Sequence, residues 1–204
     1  MEENGNEQLE YYLSSLDELG EILIDADKAQ QVGSGILRLT LGTIMASKGA
    51  IFLYNEMTDN LTSLSSKGAD VKKTFRPPKN LKVELQKHRK NHVLVDDKKK
   101  WISGHLKEYI KEAKINTILP LFHKNQFLGL LCIGKKFMDQ SFTRSDFKIL
   151  EIISNHLTKA LYNYQLIDEV KRKKTELNMK LLELETLFDI SVAISSVLDV
   201  EELG

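Results

Sequence analysis

The sequence predicts an α+β domain, on three observations. Helical apolar spacing occupies both ends of the chain, and short apolar runs paired as hairpins fill its middle. One apolar hairpin, at Ile118 to Ile133, leads directly into a capped helix start.

Each element has a local cause. From Leu9 to about Ala29, apolar residues recur at Leu9, Tyr12, Leu13, Leu16, Leu19, Ile22 and Leu23, which is one buried helical stripe. A second helical pattern (Ile36, Leu37, Leu39, Leu41, Ile44, Met45) leads to Ser47-Lys48-Gly49, where the glycine is expected to close it. Ala50 to Tyr54 and Leu61 to Lys67 then flank a polar loop, Asn55 to Asn60, as a hairpin. Pro77-Pro78 interrupts regular structure, because proline fixes its own φ and restricts the residue before it. Asn80 is expected to cap a short helix through about His88, His92 to Val95 reads as a short strand, and Ser103 to Lys114 as a helix.

The run Ile118 to Phe122, the polar turn His123-Lys124-Asn125-Gln126 and the run Phe127 to Ile133 form the next hairpin, ending in Gly134-Lys135-Lys136. Thr143 then stands three residues before Asp146. A threonine hydroxyl there accepts from an early backbone N–H, and the carboxylate favours the positive end of the helix dipole.

The chain has 204 residues, 42% of them hydrophobic, enough for a substantial core with helical extensions. Its 29 basic and 29 acidic residues cancel, so no global charge draws it to nucleic acid or an anionic membrane. The basic clusters Lys98-Lys99-Lys100 and Lys171-Arg172-Lys173-Lys174 read as solvated faces. No window approaches the ~20 apolar residues of a membrane span, and the acidic, polar N-terminus is unlike a signal peptide. A cytoplasmic location is the expectation.

The succession Leu119-Pro120-Leu121, Leu128-Gly129-Leu130-Leu131, Gly134-Lys135, Phe142-Thr143, Asp146, Leu150 and the long helix beyond resembles the GAF domain family of small-molecule sensory modules. The resemblance covers about residues 16 to 166. It implies a central antiparallel sheet of about five or six strands, with the N- and C-terminal helices on one face and short helices and loops covering a pocket on the other. The domain order expected is an N-terminal helical extension (1–15), the GAF domain (16–166), a coiled-coil signalling helix (167–188) and the start of a second GAF domain (189–204).

That last expectation rests on Leu184 to Ile190 and Leu198 to Leu203, which resemble the entry helices of a GAF domain and weakly echo Leu16 to Val32. It makes the chain a piece of a longer protein. Beyond Asp146 the apolar positions Leu150, Ile153, Leu157, Ala160, Tyr164 and Ile167 alternate spacings of three and four, as in a coiled-coil seam. Val170 follows three residues on, and Leu177, Leu181, Leu184 and Phe188 resume the seam with Lys174 in register. Two consecutive threes form a stammer, a local overwinding. No glycine or proline occurs from Lys135 to Leu203, so a rigid connector that dimerises is expected.

Catalytic motifs are missing: the sequence has no GxxxxGK[ST], HExxH or GxSxG. His88 and His92 lack a third metal ligand, and His156 lacks the acidic residue and proline that follow a phosphoaccepting histidine. They read as structural histidines. The only cysteine, Cys132, excludes an intramolecular disulfide and lies in an apolar strand, where thiols are inert. The methionine sulfoxide reductases of the GAF family need several cysteines, and bilin attachment needs an accessible one.

The cyclic-nucleotide signature of the family, Asn-Lys, Phe and Asp-Glu, is kept at Lys135, Phe142 and Asp146 but lost at Gly134 and Phe147. Cyclic-nucleotide recognition is therefore not expected, and no metal, bilin or haem signature is present. Lys135, Phe142 and Asp146 remain as a structural brace, with a Lys135–Asp146 salt bridge. Val93, Val95, Trp101, Ile102, Tyr109, Ile118, Pro120 and Phe122 are candidate liners of a ligand pocket, with core filling as the competing role for each. The functional expectation is a non-enzymatic regulatory domain of a signal-transduction protein that binds a small molecule, dimerises through its N- and C-terminal helices, or both. It would relay a conformational change to an output domain such as a cyclase, kinase or phosphatase. A structural dimerisation module with no ligand is the alternative.

Overall fold

The computed structural model describes residues 26–68, 73–87, 93–94, 102, 104–112 and 114–201. The stripe from Leu9 to Leu23, the 1–15 extension, His88, His92, Val95 and Trp101 lie outside them. In chain order the elements are α1 (Ala26–Thr43), β1 (Gly49–Asn55), β2 (Asn60–Lys67), β3 (Thr74–Phe75), α2 (Leu81–Gln86), β4 (Val93–Leu94), α3 (Gly104–Glu112), β5 (Ile115–His123), β6 (Gln126–Gly134), a 3-10 turn at Phe137–Asp139 and α4 (Arg144–Glu201). The six strands form one antiparallel sheet in the order β3-β2-β1-β6-β5-β4, within the predicted number.

Alternation along the central strands sends successive side chains to opposite faces. Ile51, Leu119, Leu121, Leu128, Leu131 and Ile133 pack with Ile36, Leu37 and Leu41 of α1 and Leu150, Ile153, Leu157 and Leu161 of α4. Ala50, Phe52, Ile118, Leu130 and Cys132 point the other way, onto Leu81 and Leu85 of α2 and Leu106, Tyr109 and Ile110 of α3. The sheet is thus covered twice, as the α+β reading requires.

The central pairing contains a bulge: Leu121 faces Gly129, but Phe122 faces Phe127, leaving Leu128 as the extra residue. The extra residue shifts the alternation, so that Leu128 joins Leu131 and Ile133 in the first core and Phe127 joins Leu130 and Cys132 in the second. Gly129 lies so close to β1 that a Cβ there would collide with the Phe52 carbonyl oxygen.

Three details differ from expectation. α1 is closed by Met45 rather than Gly49: the Ala46 N–H donates to the Leu41 carbonyl (2.9 Å) and the Met45 N–H to that of Gly42 (3.3 Å), with Met45 in the left-handed region at φ 56°. That is the Schellman pattern. Gly49 instead opens β1, where a Cβ would stand 2.8 Å from the Cys132 carbonyl oxygen. Asn80 precedes α2, but its side chain makes no cap; only its carbonyl serves, accepting from the Glu84 N–H at 3.1 Å. The β5–β6 turn is tighter than the four residues expected, since His123 and Gln126 pair directly and Lys124 takes φ 52°.

The chain divides into two units, Met1–Tyr164 and Gln165–Gly204. α4 carries residues of both. In the first unit Leu150, Ile153, Leu157 and Ala160 are core residues, so this part of the three-and-four spacing serves the sheet rather than a coiled coil. The stammer, at Tyr164, Ile167 and Val170, falls where the first unit ends.

The two glycine environments predict opposite outcomes in thermal or denaturant unfolding. Gly129→Ala will destabilise by roughly 3 kcal/mol or more, because backbone must move. Gly35→Ala, in α1 with nothing within 4 Å of its Cβ position, will stabilise by about 0.5–1 kcal/mol.

Candidate functional site

The junction between the last strand and α4 is built around one carboxylate. Asp146 Oδ2 accepts from the Lys136 ammonium (2.8 Å), the Thr143 backbone N–H (2.7 Å) and the Thr143 hydroxyl (2.9 Å). Thr143 Oγ1 accepts in return from the Asp146 N–H at 3.2 Å, and the Thr143 carbonyl takes the first helical bond, from the Phe147 N–H. This is a capping box with aspartate in the third helical position. Phe142 and Phe147 stack beside it with centroids 5.5 Å apart, the N′-to-N4 contact of a hydrophobic staple. Phe147, which departs from the cyclic-nucleotide signature, thus has a structural use.

The predicted brace requires one correction. The cation on Asp146 is Lys136, whereas Lys135 pairs with exposed Asp139 at 3.2 Å. In extended backbone, neighbouring side chains point opposite ways, so only one of the two lysines can reach the helix. The backbone bridge between Ala46 and Lys136 decides which. Only 10% of the Lys136 side chain and 12% of that of Asp146 are exposed, so this pair is nearly buried. Burial raises the Asp146 pKa, but the hydrogen bonds from Lys136 and Thr143 and the lysine charge outweigh it, holding the carboxyl below its ordinary value.

On the opposite face of the sheet, the pocket candidates within the described residues come together. Ile102, Tyr109 and Ile118 are buried in the second core, Pro120 is buried in β5, Phe122 packs against the same core, and the Val93 backbone pairs with Ile118. Val95 and Trp101 lie outside the description. One feature there was not legible as sequence: the Tyr109 hydroxyl is buried with no hydrogen-bond partner. The Tyr109 ring stands edge-on to Phe52, with centroids 5.3 Å apart. Burial, and then the neighbouring Cys132, push its pKa up, and burial alone does the same to the Cys132 thiol. Both groups are neutral. Among the described residues, no three His, Cys, Asp or Glu side chains gather as a metal site.

No family model matches the chain, and no curated protein matches it in sequence. Solved structures do match in shape. A GAF domain from a phosphoenolpyruvate-protein phosphotransferase of Coxiella burnetii superposes with a TM-score of 0.56 at 14% identity, covering 76% of this chain and 94% of its own. This chain has the GAF fold. A GAF domain of a putative sensor histidine kinase from Pseudomonas syringae pv. tomato gives 0.52 at 12% identity, with 83% and 98% covered. Residues 122 to 287 of a methyl-accepting chemotaxis protein give 0.55 at 12% identity, with 73% and 98% covered. At these identities the shared property is the GAF fold itself. No helix among the described residues is long and apolar enough to cross a membrane.

Lys136→Met will lower stability by roughly 2–4 kcal/mol, because it strands a nearly buried carboxylate, whereas Lys135→Ala will change it by under about 0.5 kcal/mol. The depressed Asp146 pKa adds stability above its unfolded value, near pH ~4, and this is lost as pH falls through the folded value. Urea melts should therefore show Asp146→Asn less stable than the parent at pH 7, with the gap narrowing towards pH 2. Tyr109→Phe, which removes an unpaired buried hydroxyl, should stabilise the unliganded protein by about 1 kcal/mol.

Proposed function

We propose that the chain is a cytoplasmic sensory domain of a signal-transduction protein, regulatory rather than catalytic, that passes a conformational change through α4 to an output domain. The observation that carries this reading is the Lys136–Asp146–Thr143 junction, which ties the end of β6 to the first turn of a 58-residue helix. A movement at the end of this central strand is felt at that first turn. Two of the shape neighbours, domains of a sensor histidine kinase and of a methyl-accepting chemotaxis protein, support the same class.

The second unit supports dimerisation. Val170, Leu177, Leu181, Leu184 and Phe188 keep heptad spacing, and each is between 51% and 69% exposed in the single chain. In a parallel pair with Leu181 and Phe188 at a positions, Lys180 and Glu185 take the g and e places, where opposite charges meet across the seam. Small-molecule binding is supported by the unpartnered Tyr109 hydroxyl among the candidate liners, a donor that a polar ligand would satisfy. The dense second core favours the competing structural module. For the ligand to act, it must bind two states of the junction with different affinity.

Light scattering of residues 1–204 should give a dimer mass, and a chain cut after Tyr164 should give a monomer or a weaker dimer. Leu181→Asp with Leu184→Asp should also dissociate the full chain without lowering the melting point of the sheet. An unchanged mass in both comparisons would refute helical dimerisation.

A further inference from the structure

A groove of about 450 Å³ opens on the first-core side, where the end of α1 meets the 3-10 turn after β6, lined by Arg38, Leu41, Met45, Ala46, Phe137, Met138 and their neighbours. Its volume lies in the range of small-ligand sites. Apolar side chains dominate it: Met45, Phe137 and Met138 are exposed, Met138 at 92%. Two cations, Arg38 and Lys67, are also on its wall, and neither has an ion-pair partner among the described residues.

The backbone here breaks local rules. Met45 occupies the helix-closing position that glycine fills at no steric cost, and Met138 and Asp139 also take left-handed φ values of 57° and 50°. Methionine at such a position gains nothing for α1, so its side chain is accounted for by what it presents outward. Residues that violate local preference without a packing return concentrate at binding sites. The flexible, polarizable thioether suits a surface that moulds to an apolar partner.

We propose that this groove binds an amphipathic organic anion, a carboxylate carrying an aliphatic chain, with the chain among Met45, Phe137 and Met138 and the carboxylate on Arg38 and Lys67. Charge complementarity selects the class, since among the described residues the charged groups on the groove's walls are these two cations. The site also touches the junction of the helix. Ala46 forms the backbone bridge to Lys136, and the Phe137 N–H donates to the Met45 carbonyl at 2.7 Å, so the groove holds both the bridge partner and the following neighbour of the lysine that grips Asp146. Binding depends neither on dimerisation nor on a ligand beside Tyr109.

The test is a titration of the full chain, labelled in its methionine methyl groups, with octanoate and, as the uncharged control, octanol. Octanoate should shift the Met45 and Met138 methyl signals saturably, and octanol should bind at least tenfold more weakly. Arg38→Ala with Lys67→Ala, both on exposed side chains, should weaken octanoate at least tenfold while leaving the melting temperature unchanged. Met45→Gly should raise or keep the melting temperature and weaken octanoate. Silence at both methyl signals, equal affinity for octanol, or full affinity in the charge variant would each overturn the proposal. Shifts that follow protein concentration without ligand would overturn it in favour of a second copy of the chain on this face.

Discussion

The constraint on which the architecture depends is that β1, β5 and β6 are apolar on both faces. A strand such as Leu128 to Ile133 cannot leave either side to water, so the sheet must be covered twice. α1 and the first five turns of α4 cover one face, and α2 and α3 cover the other. Burial on two sides also brings the backbones close. Gly49 and Gly129 stand where β1 passes β6, and neither position has room for a side chain.

The two covers differ in how they are held. The α4 side is fastened by a directional, charged junction, because Asp146 must satisfy both the helix start and Lys136. It is fastened again where His123 of β5 stacks on Tyr162 at 3.8 Å. The α2–α3 side is held by apolar and ring contacts, such as Phe52 with Phe75 and Tyr109. Non-directional packing tolerates rearrangement better than a shared carboxylate does.

Much of this was legible in the sequence, for identifiable reasons. Both hairpins and the Thr143–Asp146 box depend on residues within a few positions of one another, and local periodicity reports such elements directly. What escaped depends on distant partners. Lys135 and Lys136 are indistinguishable as neighbours, and only the bridge to Ala46, ninety residues earlier, separates them. Met45 carries none of the usual marks of a helix stop, so Gly49 drew the boundary too late. The three-and-four rhythm after Leu150 reads as one seam, although the sheet takes its first half and leaves the rest exposed. The Tyr109 hydroxyl is an ordinary tyrosine until packing removes its partners.

Cys132 lies at the centre of this arrangement, paired across to Ala50 on one side and Ile118 on the other, fully buried and with its thiol pKa pushed upward. A thiol reagent reaches it only when the middle of the sheet parts. As the chain holds no other cysteine, its labelling rate is a clock for that single event, and the native protein carries its own gauge of how often the core opens.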